Sequence, residues 1–211
     1  MHAQAILMAA VSAGSGPQTA SDDFSSYANG STLSGQGNWL RMSTLGGNWD
    51  LGVIKPGSDG RVVGANGSTV NGLLYNAGTW SPDQWSAITT FGGGNPALFA
   101  LCRCDTSGNG YGMLWTPNFG GLLVLYRIDA GVESTVSGFV GHAVAAGDVV
   151  RLEVTGSGSA TRLRGILNGV DQFGSVDPGS PYHSSGNPGI GSPNNSGFSG
   201  DGITFWQASD I

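Results

Sequence analysis

The sequence predicts an all-β fold, a sandwich or barrel of many short antiparallel strands, preceded by an apolar arm. From Asp22 onward, clusters of Gly, Asn, Ser and Pro interrupt short apolar runs about every 8–15 residues, the rhythm of turns between strands. Glycine (38) and proline (9) make up more than a fifth of the 211 residues, yet 39% of the chain is hydrophobic and it holds six Trp, five Tyr and eight Phe. A disordered low-complexity chain would lack that aromatic content. Only 10% of the residues are charged, against roughly 25% in an average protein, which excludes long surface helices laced with Glu and Lys.

Residues 3–13 are the most apolar stretch, with no Lys or Arg and only His2 before them. The run lacks the basic start of a secretory leader and falls short of the roughly 20 apolar residues of a membrane span, so neither is expected. Ile6, Leu7, Met8 and Val11 form a cluster that lies on the domain's own body or docks on a partner, as exposed apolar clusters do. Gly14-Ser-Gly-Pro-Gln18 follows as a flexible joint. The expected division is an arm with its joint over 1–21 and a β domain over 22–211.

Strands are predicted at 23–27, 39–42, 49–53, 61–64, 73–76, 84–91, 97–105, 110–116, 122–129, 134–140, 149–155, 161–167, 170–176, 188–191 and 203–208. In 149–154, Val150, Leu152 and Val154 share one face and Val149, Arg151 and Glu153 the other, the alternation of a half-buried strand. Asn168-Gly169 supplies the two positive φ angles of a type I′ turn, so Leu167 should pair with Val170 and Ile166 with Asp171. Leu122–Ile128 is apolar on both faces, as a covered central strand is. Trp39, Trp49, Trp85 and Trp206, in alternating strands, are expected in the core.

The charge balance and reactive side chains exclude several functions. With a net charge of −6, one lysine (Lys55) and scattered arginines, the chain lacks the basic footprint of a nucleic-acid binder. Cys102 and Cys104, at i and i+2, should point to one face of a regular strand as small buried thiols. Without further Cys or His nearby they make neither a metal site nor an unstrained disulfide. The histidines His2, His142 and His183 are isolated from one another, and the glycine-rich pieces 92–94 and 108–112 lack the Lys of a phosphate loop. Asp22, Asp23 and Asp201 would approach if the first and last strands pair, but they fall short of the six to eight oxygens calcium takes, and edge-strand charges are the alternative. Glycoside hydrolysis needs two flanking carboxyls, whereas Glu133 and Glu153 are the only glutamates and neither has a second carboxylate on its strand face. No catalytic residue, metal or cofactor is expected. Arg103, Tyr111, Trp115 and Tyr126, on or near the middle strands, form a candidate glycan-binding patch.

Several segments in order, Asp22-Asp-Phe24, Gly37-Asn-Trp39, Gly47-Asn-Trp49, Asn109-Gly-Tyr-Gly112, Leu125-Tyr-Arg127, Ala146-Gly-Asp148 with Arg151-Leu-Glu-Val154, Asn168-Gly169 and Ser185-Gly-Asn-Pro-Gly-Ile190, lead to a final strand over 203–211. Together they resemble the concanavalin A-like lectin/glucanase jelly rolls, in the LamG-like form found in bacteriophage virion proteins and secreted bacterial proteins. The resemblance implies a two-sheet antiparallel jelly-roll sandwich with first and last strands paired. It also implies a concave face that holds the ligand in sugar-binding members. Members that hydrolyse β-glucans carry Glu-x-Asp-x-x-Glu, which no segment here has.

The expected function is therefore that of a non-enzymatic virion structural protein, a capsid decoration or tail-associated sandwich. Its arm would seat it among other virion proteins, in several copies or as a homo-oligomer, and its body would adhere to surface glycans. The alternative is an extracellular carbohydrate-binding module, and the third reading is a glycoside hydrolase.

Overall fold

The structure, a computed structural model, describes residues 17–28, 30–42, 62, 70–91, 97–116, 121–138, 140–142, 145–193 and 202–211. The arm residues Ile6, Leu7, Met8 and Val11, together with His2, Trp49 and Asp201 and the strand expected at 49–53, lie outside the described residues. The strands in chain order are β1 (Thr19–Asp22), β2 (Trp39–Arg41), β3 (Val70–Tyr75), β4 (Gln84–Phe91), β5 (Leu98–Cys104), β6 (Gly110–Thr116) and β7 (Leu122–Asp129). They continue with β8 (Val132–Thr135), β9 (Val140–Gly141), β10 (Val149–Thr155), β11 (Arg162–Leu167), β12 (Val170–Asp171), β13 (Asn187–Pro193) and β14 (Gly202–Asp210). One sheet runs β1, β14, β4, β10, β11, β12; the other runs β2, β3, β13, β5, β6, β7, β8, with β9 also on β7. Every pairing is antiparallel.

The period-2 patterns decide what lies between the sheets. Val150, Leu152 and Val154 of β10 face Ala100, Cys102, Met113 and Leu125 of the opposite sheet in one apolar core. That core also buries Trp39, Trp115 and Trp206. At its edge the rings of Trp39 and Trp206 meet edge-on at 4.9 Å. Asp22 fastens this edge by accepting from the indole of Trp39 (2.8 Å), the hydroxyl of Tyr27 (2.6 Å) and the amide of Phe24 (2.8 Å).

The hairpin at Asn168 (φ 49°) and Gly169 (φ 83°) has the predicted form, with Leu167 opposite Val170 and Ile166 opposite Asp171. Four expectations are corrected. The sandwich opens at Thr19, so β1 takes in residues assigned to the joint. The segment after Asp22 is a turn and not the strand expected at 23–27, because the Asp22 and Asp23 carboxylates capture the amides of Phe24 and Ser25. The strand from Val170 stops at Asp171, whose carboxylate likewise takes the amides of Phe173 and Gly174. Trp85 lies half-exposed on the outer face of the six-stranded sheet, with the Arg151 guanidinium 4.2 Å from its ring centroid.

Cys102 and Cys104 are both buried, as expected, but on opposite faces of β5. Leu101 pairs with Gly189 and Cys104 with Asn187, so β5 carries one residue more than β13 across this step. The extra residue is a bulge centred on Arg103, with φ at 52°, and it reverses the in/out alternation of the strand. Gly186 makes the bulge possible. Its φ is 135°, and a Cβ there would sit 2.4 Å from the carbonyl carbon of Arg103.

Candidate functional site

Three of the four residues expected to form a glycan patch are interior. Arg103, Tyr111 and Trp115 are each 0% exposed. The bulge turns Arg103 into one end of the sandwich, where its guanidinium donates to the carbonyls of Pro82 (2.7 Å), His183 (2.8 Å) and Gly156 (2.5 Å). It is a clamp on three loops. Tyr111 accepts the amide of His183 at 2.8 Å, and Trp115 donates to Asp148 at 3.3 Å. Only Tyr126 faces outward, on the side of the eight-stranded sheet turned away from its partner sheet.

The register of β7 and β8 brings Glu133 to Tyr126. Tyr126 pairs with Thr135 and Ile128 with Glu133, and cross-strand partners share a face, so these four side chains form one patch near the β8 edge. The Tyr126 ring is braced by Phe99, edge-on at 5.9 Å. Gly112 leaves the room for this brace, since a Cβ there would come within 3.0 Å of the Phe99 ring. Burial without a compensating charge raises the Glu133 carboxyl to about 7. Burial also raises the Tyr126 hydroxyl, the Glu133 charge adds to that, and a hydrogen bond with Thr135 opposes it. Neither an ion pair nor a hydrogen bond to Glu133 forms among the described residues. The patch therefore offers an aromatic ring, a hydroxyl and an uncommitted carboxyl that is half neutral near pH 7.

Glu153 is on the outer face of the other sheet. It is not the solvated strand charge its sequence suggests, because Arg151 (2.5 Å) and Arg164 (3.0 Å) enclose it, and Arg164 continues to Asp171 (2.9 Å). The two glutamates thus lie on opposite sides of the molecule and cannot flank one glycosidic bond.

The histidines are separated too. His142 lies 3.1 Å from Asp148 at one place, and His183 lies 3.0 Å from Asp129 at another, against the ring of Tyr111. Asp22 and Asp23 spend their carboxylates on local donors. Among the described residues no group of three His, Cys, Asp or Glu could hold a metal ion, and no helix is long and apolar enough to cross a membrane.

In the sequence Glu133 reads only as half of a catalytic pair. Its burial depends on the β7–β8 register, which no local pattern encodes.

No family model and no curated protein matches the sequence. Solved structures do match the fold. Carbohydrate binding module CBM66 from Bacillus subtilis aligns with 79% of this chain and 91% of its own at a TM-score of 0.52 and 17% identity. Endo-1,3-beta-glucanase from Streptomyces sioyaensis aligns over 93% and 97% at 0.56 and 11%. The fold is the concanavalin A-like jelly roll. The GH43 protein BlXynB from Bacillus licheniformis contains a similar jelly roll, and this chain spans 39% of that longer protein, with a TM-score of 0.54 and 13% identity. At such identities the jelly roll is what is shared, and its occupants include both binding and hydrolysing proteins.

Proposed function

We propose that this jelly roll is a non-catalytic carbohydrate-recognition module whose sugar site is the Tyr126–Glu133 patch. The observation that carries the reading is the uncommitted Glu133 carboxyl beside a braced, outward-facing Tyr126. A tyrosine ring packs against the C–H face of a sugar while a carboxyl and a neighbouring hydroxyl take its ring hydroxyls. The absence of a second carboxyl on that face among the described strands of the eight-stranded sheet supports binding over hydrolysis. Glycan-array screening followed by titration calorimetry tests it. The expected result is a hit whose affinity falls at least about tenfold in Tyr126→Ala. Undiminished binding by that variant, or release of reducing sugar that Glu133→Gln abolishes, overturns the reading.

A second reading, supported by the apolar cluster Ile6, Leu7, Met8 and Val11 and the Gly/Ser/Pro joint, seats the module on a virion shell as a multi-copy decoration. Mass spectrometry of purified particles tests it: a stoichiometric band is expected, and its absence removes the reading.

A further inference from the structure

The strands that carry the Tyr126–Glu133 patch turn no cation toward it. Arg127 is the only basic residue of β7 and β8. Strand alternation sends it to the face opposite Tyr126, where Asp129 holds it at 2.7 Å and the Pro178 carbonyl accepts its other donor at 3.0 Å. Ile128, the cross-strand partner of Glu133, is apolar and fully buried. Glu133 therefore meets no balancing charge, and that is why burial raises its carboxyl to about 7. The chain as a whole, at −6 with a single lysine, adds a field that favours cations.

Both side chains of the patch are partly exposed, so a ligand can reach them. Tyr126 lies opposite Thr135, which makes Glu133 its diagonal neighbour across the two strands, roughly 7–8 Å away. A neutral sugar hydroxyl laid between them would donate to the carboxylate and leave its charge uncompensated. An ammonium would do more. It gives a charge-assisted hydrogen bond, about twice as strong as a neutral one, and it is drawn to the electron-rich face of an aromatic ring. Thr135 donates to the Tyr126 hydroxyl, a bond that eases ionisation of the phenol. The phenol keeps its own proton to donate to a ligand oxygen.

We propose that the patch selects amino sugars, with the ammonium of a glucosamine unit between the Glu133 carboxylate and the Tyr126 ring and a neighbouring sugar oxygen on the Tyr126 hydroxyl. The selection rests on the patch being a sugar site, and the test separates the two.

Titration calorimetry at pH 7 and low salt compares three tetramers that share a β-1,4 backbone and differ only at C2: glucosamine, N-acetylglucosamine and glucose. The glucosamine tetramer should bind at least about tenfold more tightly than either of the others. Glu133→Gln, checked for its β-sheet circular dichroism, should bring the three affinities within about threefold of one another. Equal affinity of the parent chain for the glucosamine and glucose tetramers overturns the proposal, as does a glucosamine preference that survives in Glu133→Gln. If glucose-tetramer binding is nonetheless lost in Tyr126→Ala, the sugar site stands without the amine preference. Tetralysine binding as tightly as the glucosamine tetramer also overturns the proposal, because the patch would then read charge alone. Binding of none of the tetramers overturns it too, and an empty glycan array alongside removes the sugar site with it.

Discussion

Trp115 and Asp148 join the two sheets: the indole N–H on β6 donates to the carboxylate at the start of β10 across 3.3 Å. Asp148 also accepts the Ala145 amide (2.9 Å) and the Asn168 side chain (2.8 Å), and His142 Nε2 lies 3.1 Å away. Removing this buried acceptor leaves several donors stranded at once. Asp148→Ala should lose about 3–5 kcal/mol in urea denaturation, a cost typical of breaking a buried charged network.

Burial alone would raise the Asp148 carboxyl, but the hydrogen bonds from Asn168, Ala145 and His142 outweigh it and hold the carboxyl below its usual range. A group lowered on folding contributes stability that is fully present above its unfolded value, 3.8, and lost as pH falls through the lower folded value. The melting temperature of the parent chain should therefore drop below about pH 4. Asp148→Asn should show less of that drop; an identical acid slope in both proteins would assign acid sensitivity to other groups.

Glu133 has the opposite sign. Its carboxyl is raised from 4.5 to about 7 by burial, so the stability it contributes is complete below pH 4.5 and is lost as pH rises through 7. Glu133→Gln should remove that dependence and leave the variant more stable than the parent at pH 8 by on the order of 2 kcal/mol. Thermal scans across pH 4–9 on both proteins measure it.

Arg103 is the loop clamp, and its three carbonyl bonds come from separate segments at one end of the sandwich. Arg103→Ala should cost about 3–5 kcal/mol, because it empties a fully buried side-chain position and leaves those three carbonyls without their donor. Arg103→Lys should recover only part of it, because a single ammonium cannot span the three acceptors. Denaturant midpoints of the two variants should therefore rank parent, Lys, Ala.

The two thiols are buried and raised well above the ordinary cysteine value, chiefly by desolvation, which keeps them protonated and inert. A thiol-reactive chromophore at pH 8 should label neither Cys102 nor Cys104 in the folded protein and both in denaturant. Fast labelling of either one under native conditions would contradict the burial.

What the sequence made legible was local. Asn168-Gly169 announced its hairpin because the turn needs those φ angles, and Val150, Leu152 and Val154 announced their face because alternation is a property of the strand itself. Cys102 and Cys104 were legible as buried but not as divided between two faces, since the bulge that divides them needs Gly186, more than 80 residues away in sequence. Arg103, Tyr111 and Trp115 looked like surface chemistry because polar and aromatic side chains on middle strands read alike whether they face in or out. Asp22 and Asp23 read as strand or metal ligands until their carboxylates were seen to close turns. The candidate site depends on strand neighbours: Tyr126 was named from sequence, and only pairing with β8 puts Glu133 beside it.

The mutual hydrogen bonds of Gln18 and Asp210 close β1 and β14 into a buckle, so the strand that opens the jelly roll lies against the strand that finishes it. Such a body is a cassette. It can be spliced into a surface loop of an unrelated scaffold, or rejoined there and cut open at the Asn168-Gly169 turn, without parting either sheet.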